Sequence, residues 1–289
     1  MRTDNPMEPQ GHVNPLHRDK AETARLNEQH VFVRETVGGL IDKSIPLDKV
    51  SSIADVGTSI GIWLLDIWKL LDGGKGGSSG RYYHGFDISS AQFPPAQPAD
   101  NVELSVHDIL KPFPPEHLNR YDLVHVRFLV TAFPEPLFED AVKNLLTIVK
   151  PSGYIQWGDY DFTYLRAGAT PRPSPSIESW LKIFDLKNLS TTAPAVLHQS
   201  FNRAGLVNVA NTSYNLYGGS EEFNRRFQKW NLQATSGVIP PVLLLTGEAK
   251  NLEDARVKTE EYLSELREHF AEGGIMDIRF GMLVGQKAD

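Results

Sequence analysis

Apolar and polar positions along the chain switch repeatedly between a spacing of three to four residues and short continuous apolar runs. Ala21 to Leu40 carries Leu26, His30, Val33 and Val37 on one stripe and ends at Gly38-Gly39, which predicts a helix. Ser52 to Asp55 is a short apolar run ending in an acid. After Val56 and a small-residue turn, Ile60, Trp63, Leu64, Ile67 and Leu71 mark one helix face. Apolar runs at Arg81–Ile88, Val102–Ile109, Tyr121–Phe128 and Tyr154–Asp159 read as further strands. Between the last two, Glu135 to Val149 places Phe138, Ala141, Val142, Leu145 and Val149 on one helix face, and Lys150-Pro151-Ser152-Gly153 breaks it. This strand–helix alternation predicts a parallel, doubly wound α/β sheet.

The remainder alternates less regularly. Gly168 to Ser176 reads as a loop, and Ile177–Leu189 and Ala195–Ala204 read as helices. Gly205–Tyr217 alternates like a strand. Ser220–Phe270 is mostly helical with a break at Ile239-Pro240-Pro241, and Ile275–Gln286 is a final strand. The expected division is an N-terminal arm and helical cap over 1–45 and one domain over 46–289, with a helical lid at about 219–272.

The turn after the first strand carries the most specific chemistry. Glycine at 57 and 61 lets the backbone turn tightly and leaves no Cβ before a ligand, and the helix amides that follow point at whatever sits there. A dinucleotide site needs G-x-G-x-x-G, but Ile62 occupies the third glycine's place. Asp55, two residues before the turn, repels a pyrophosphate and suits a cationic ligand end. The string Asp55-Val56-Gly57-Thr58-Ser59-Ile60-Gly61 resembles motif I of the class I S-adenosylmethionine (SAM) methyltransferases, D/E-x-G-x-G-x-G, with Ser59 for the middle glycine.

Strand ends supply the other candidates. Asp87 follows Gly57 by about 30 residues, against roughly 20 in the compact dinucleotide unit, and sits where one carboxylate can hold both ribose hydroxyls of a nucleoside. In this sheet order the third strand ends beside the adenine, so Asp108 can accept from the exocyclic amine and the Ile109 backbone can meet the ring edge. Ile88 adjoins Asp87. His125, Val126, Arg127 and Phe128 lie at the C-terminal edge of the fourth strand, where ligands of open α/β sheets bind. Arg127 can pair with a carboxylate of SAM or of substrate, or form a structural salt bridge. His125, Asp159 and Asp161 are base candidates that serve equally as buried structural residues. His30 and Gln29 can face a ligand from a helix. With Tyr160 they complete the candidates for substrate contact, alongside the lid side chains Phe223, Phe227, Trp230 and Leu232. The run GGKGGSSG at 73–80 is not a phosphate loop, because Lys75 is not followed by Ser or Thr and no strand leads into it; it reads as a flexible surface loop.

Composition narrows the function classes. The net charge of -7 and the absence of a Lys/Arg cluster argue against a nucleic-acid partner. With no cysteine there are no disulfides, thiolate metal sites or Cys nucleophile, which fits a reducing cytoplasm. No apolar run approaches the roughly 20 residues of a membrane span. The polar, Pro-rich first 20 residues read as a loosely draped arm that can cross to a second subunit in a homodimer.

Taken in order, DVGTSIGIW, GFDIS, HDI-x-x-PFP, YDLVHVRFL and VKPSGYIQWGDYD resemble the fungal secondary-metabolism branch of the class I methyltransferases. That branch includes the gliotoxin-pathway N-methyltransferase type and the velvet-complex regulator type. The resemblance covers roughly residues 25 to 165, with RLNEQH and GGLIDKSIP upstream. It implies a Rossmann-like, mostly parallel seven-stranded sheet ending on an antiparallel strand. It also implies SAM as cofactor, S-adenosylhomocysteine as product, a small-molecule substrate with an N, O or S nucleophile, and no metal. Two other readings stay open: a SAM-binding cyclase that transfers no methyl, and a regulatory interaction protein.

Overall fold

A computed structural model of the protein describes residues 20–73, 80–166 and 174–289. The N-terminal arm through residue 19, most of the glycine-rich run and most of the loop at 168–176 lie outside the described residues.

The strands are β1 (Ser52–Val56), β2 (Tyr82–Asp87), β3 (Val102–Val106), β4 (Tyr121–Arg127), β5 (Val149–Asp161), β6 (Val207–Asn215) and β7 (Arg279–Gln286). They form one seven-stranded sheet in the order β3-β2-β1-β4-β5-β7-β6. The first five pair in parallel, and β7 pairs antiparallel with both β5 and β6. Central strands are buried on both faces, β1 throughout, as parallel strands covered by helices must be. The edge strand β6 is mostly exposed and reads VNVANTSYN, a sequence too polar to invite further strand pairing.

The helices are α1 (Lys20–Val37), α2 (Ile62–Asp72), α3 (Phe138–Ile148), the single turn α4 (Thr163–Arg166), α5 (Pro175–Lys187), α6 (Ala193–Arg203), α7 (Glu221–Leu245) and α8 (Leu252–Ala271). On one sheet face α2 buries Trp63, Leu64, Ile67 and Trp68 against Ile53, Tyr83 and Leu123. On the other, α3 and α6 bury Phe138, Leu145, Leu197 and Phe201 against Val124, Ile155 and Trp157. Helices α1, α5 and α8 pack on α7.

Two expectations change. The strand predicted from Tyr154 begins at Val149: Tyr121 pairs with Val149 and Leu123 with Tyr154, so the Lys150–Gly153 break is a bulge within β5, with Ser152 at φ 60°. Nor does the chain break at Pro240-Pro241; α7 runs through both to Leu245. The carbonyls that lose their donors belong to Ser236, which is exposed, and Gly237, which is half-buried, so water can satisfy them. The turn comes after Thr246, whose N–H bonds to the Val242 carbonyl.

The Phe280 ring from β7 lies over Gly158 of β5, so a Cβ there would run into it. Gly158→Ala is expected to cost about 1–3 kcal/mol, as overpacking does. Urea unfolding measures it, and an unchanged midpoint would show that Phe280 moves aside freely.

Candidate active site

A cavity of about 220 Å³ opens over the C-terminal ends of β1, β2, β4 and β5, roofed by α1, α5 and α7. The β1–α2 turn forms its floor. Gly57 takes φ 77°, and a Cβ there would meet Leu129 at 3.1 Å. The Gly57 and Thr58 N–H groups both bond to the Phe86 carbonyl, at 2.8 and 2.9 Å. Ser59, in the middle-glycine place, keeps the left-handed conformation at φ 51°. That costs a non-glycine residue about 1–2 kcal/mol. Its N–H donates to Asp87 Oδ2 at 2.9 Å and its hydroxyl to Gln92 Oε1 at 2.8 Å. Gly61, at φ 72°, opens α2 but does not line the cavity.

Asp55 is buried. Its Oδ2 accepts from the Thr58 hydroxyl at 2.7 Å, and its Oδ1 lies 2.7 Å from His125 Nδ1. Gly85, beside Asp55 on β2, must stay bare: a Cβ there would lie 2.9 Å from Thr58 Oγ1. The His125 ring stacks on Trp63 with centroids 3.6 Å apart. Burial lowers its pKa, so the neutral ring donates from Nδ1 to Asp55.

A second chain of contacts orients Arg127. His30 Nδ1 accepts from Arg127 Nη2 at 2.8 Å, and Nε2 lies 3.0 Å from Asp66 Oδ2, which also pairs with Arg34. Burial first, then the Arg127 charge, bring His30 down to about 4. Its neutral Nε2–H tautomer therefore links Asp66 to Arg127. Burial lowers Arg127 itself to about 10, so it stays charged at neutral pH.

Asp159 is fully buried and organises the loop after β4. It accepts from the N–H groups of Leu129 (2.9 Å) and Tyr160 (2.9 Å), from the Trp157 indole (3.2 Å) and from the Val130 N–H. Burial still pushes its pKa up to about 7. Phe128, at the head of that loop, is held at φ 59°, with its N–H on the Gly158 carbonyl at 3.0 Å. A strained aromatic residue at a cavity wall needs this much surrounding support.

The cavity thus brings together Asp55, Gly57, Thr58, Asp87, Ile88, Asp108, Ile109, Arg127, Phe128, Tyr160 and Trp230. Several expected residues are not among those that line it. His125 lies in the sheet against Trp63, and Val126 is core on β4. His30 stands behind Arg127, Asp159 lies beneath the loop, and Gly61 is in the helix entry. Alternation along β4 separates Val126 from Arg127, because adjacent side chains point to opposite faces; His125 shares the face of Arg127 but lies two residues deeper in the sheet, level with Asp55. Asp161 caps α4 by accepting from the Thr163 N–H. Phe223, Phe227 and Leu232 do not line the cavity, and Phe227 packs on Phe32 and Trp230 instead.

Among the lining residues not predicted are Arg25, Gln92, the Leu129–Phe133 segment, Phe162 and Trp180. The rule that placed Phe128 extends to Leu129–Phe133. Gln92 and Trp180 come from a short turn and an ordinary amphipathic helix, and carry no signal of their own. Among the described residues, no group of three or more His, Asp or Glu is placed to hold a metal ion.

This sheet order, with its seventh strand antiparallel between the fifth and sixth, is the class I methyltransferase fold. Solved structures that share it include the [4+2]-cyclase SpnF (TM-score 0.50, 14% identity, covering 97% of this chain and 88% of that one). Another is a Haemonchus contortus phosphoethanolamine N-methyltransferase 2 in complex with S-adenosylhomocysteine (TM-score 0.50, 16% identity, 96% and 61%). No family model matches the chain. In sequence the chain is similar to fungal methyltransferases. Methyltransferase grgD of Penicillium sp is 40% identical over 155 residues, 53% of this chain and 54% of that protein. N-methyltransferase verN of Clonostachys rogersoniana is 34% identical over 49% of this chain and 48% of that protein. N-methyltransferase gliN of Aspergillus fumigatus is 26% identical over 60% and 68%. The chain thus spans about half the length of the first two.

His30 yields a pH test. Its depressed pKa means that the unfolded chain takes up a proton at a higher pH than the fold does. Its contribution is therefore complete above about 6.5 and lost as pH falls toward 4. A shift of this size corresponds to up to about 3 kcal/mol. In His30→Gln, which cannot titrate, the fall in melting temperature between pH 6.5 and 4 is expected to be smaller than in the unchanged protein. Identical pH profiles would remove His30 from this role.

Proposed function

We propose that the protein is a SAM-dependent methyltransferase acting on a small molecule through an N, O or S nucleophile. The observation that carries this reading is the glycine turn tied to Asp87 through the Ser59 N–H, on the floor of a roofed cavity. The residues fit the cofactor. Gly57 leaves the turn without a side chain, and the buried Gln92 Nε2, on the cavity wall beside Ser59, has no partner among the described residues.

Asp87 would hold the ribose hydroxyls. Its oxygens accept from the N–H groups of Ser59 and Ser89, and a carboxylate has about four acceptor positions. Asp108 and Ile109 would face the adenine. Arg127, oriented by His30, would hold the methionine carboxylate by a charge-assisted hydrogen bond. When bound, SAM supplies an activated methyl group that a lone pair can take while the carbon–sulfur electrons remain on sulfur.

The protein's own task is then alignment and exclusion of water. Trp180 from α5 and Trp230, Ala234 and Val238 from α7 close the cavity on the side of Phe128, Tyr160 and Phe162. Neither His125 nor Asp159 lines it, and burial keeps the Tyr160 hydroxyl protonated, so on that side none of the three is poised as a base. A nucleophile that arrives with its lone pair available suits such a site. The division into an N-terminal cap, a SAM-binding domain from residue 46 and a lid over 219–272, the cytoplasmic setting and a homodimer all belong to this proposal.

Asp87→Ala is expected to weaken S-adenosylhomocysteine binding by about 1–3 kcal/mol, the range for a hydrogen bond to a charged group. Calorimetry measures it, and unchanged affinity would remove Asp87 from the site. Methyl-labelled SAM incubated with fungal metabolite extracts is expected to label a small-molecule product. A product formed without added methyl would favour the cyclase reading.

A further inference from the structure

The cavity's polar groups divide by strand. Its lining carboxylates, Asp55, Asp87 and Asp108, belong to the ends of β1, β2 and β3. Tyr160 belongs to β5, two places along the sheet from β1. At about 4.8 Å per strand that is roughly 10 Å from β1 and farther from the other two. On the β5 side the lining side chains that carry polar hydrogens include Arg25, Gln29, Arg127, Tyr160 and Trp230, beside Trp180, whose indole is already bonded to Thr235, and no carboxylate lines the cavity there among the described residues.

These groups form one cluster. Gln29 Nε2 donates to the Tyr160 hydroxyl at 2.6 Å, which leaves the Tyr160 proton with no acceptor among the described residues. The Tyr160 and Trp230 rings lie 5.5 Å apart, and the Arg25 guanidinium stands 5.9 Å over the Trp230 ring. Trp230 is 2% exposed, and its indole N–H has no partner among the described residues. A buried donor left unpaired is costly, and pairing it with a ligand removes that cost. This unpaired donor beside the Tyr160 hydroxyl, with guanidinium groups near them, matches an acceptor oxygen. The set does not match an ammonium group, which brings only donors and a like charge.

Building on the proposed methyltransferase reading, we infer that Trp230 and Tyr160 form the anchor of the acceptor subsite. The anchor takes a flat molecule through a carbonyl or carboxylate oxygen and turns away a protonated amine. The anchoring oxygen is distinct from the atom that is methylated. If that atom is nitrogen, the same selection admits it with its lone pair free.

The test is calorimetric titration of the protein, saturated with S-adenosylhomocysteine, with four probes: 2-naphthamide, 2-naphthoate, naphthalene and 2-naphthylmethylammonium. The amide, the carboxylate or both are expected to bind at least roughly tenfold more tightly than the ammonium probe, and more tightly than naphthalene. Which of the two binds better identifies the oxygen. Trp230→Phe keeps the ring and removes the donor. It is expected to weaken the better oxygen probe by roughly three- to tenfold, the range of one hydrogen bond, and to leave S-adenosylhomocysteine affinity within about twofold. That cofactor affinity also reports that the variant is folded. Equal binding of ammonium and amide, no binding of any oxygen probe, or a Trp230→Phe variant that binds all probes as before would each overturn the inference. Because every arm starts from cofactor-loaded protein, failure to load tests the methyltransferase reading and not the subsite.

Discussion

The buried Asp55 carboxylate is the tie on which the site depends. A charge inside a parallel sheet is tolerated only where it is met by hydrogen bonds, each worth about 1.5–3 kcal/mol when the group is charged. Thr58 meets it from the turn and His125 from the neighbouring strand. Each contact fixes something else. The Thr58 hydroxyl holds the turn over the strand end, and Gly85 leaves room for it. The His125 ring, stacked on Trp63, locks α2 against β4. An acid that looks from its position like a ligand for a cationic group is also the internal bracket of the ligand site.

The same economy recurs one layer behind the cavity wall. Asp66 and His30 orient Arg127, and Asp159 gathers the N–H groups of the loop that carries Phe128 and Leu129. Each is a buried polar group whose partners are other parts of the scaffold. Two residues that line the cavity, Gln92 and Trp230, by contrast carry buried donors with no partner among the described residues. A protein interior seldom leaves such groups unpaired, and at a cavity wall a bound ligand can pair them.

Much of this was legible in the sequence, because the periods of the parallel sheet are strong and the glycine turn is a local feature. Apart from the start of β5, the strands from Ser52 to Asp161 fall where the pattern puts them, and Gly57, Thr58, Asp87 and Asp108 line one cavity at their ends. What was hidden is side-chain direction. A run such as YDLVHVRF gives a buried strand but does not say that His125 turns to Trp63 while Arg127 reaches the cavity. His30 reads in the sequence as a residue facing a ligand and Asp159 as a base or a buried structural residue, and only the fold shows that both stand behind the cavity wall and act through their neighbours. Pro240-Pro241 misled for a related reason, since the carbonyls they deprive lie toward solvent.

The cavity therefore has two chemically different halves, an acid-edged side at β1 to β3 and an aromatic, donor-lined side at β5 and α7. The account requires that the first half bind the cofactor by itself, before any acceptor molecule is known. Calorimetric titration of the purified protein with S-adenosylhomocysteine tests this most directly. One-to-one, saturable binding that is lost when Asp55 is changed to Ala in a still-folded protein is the result predicted. Absence of binding by a folded, unaltered protein would contradict the account at its centre.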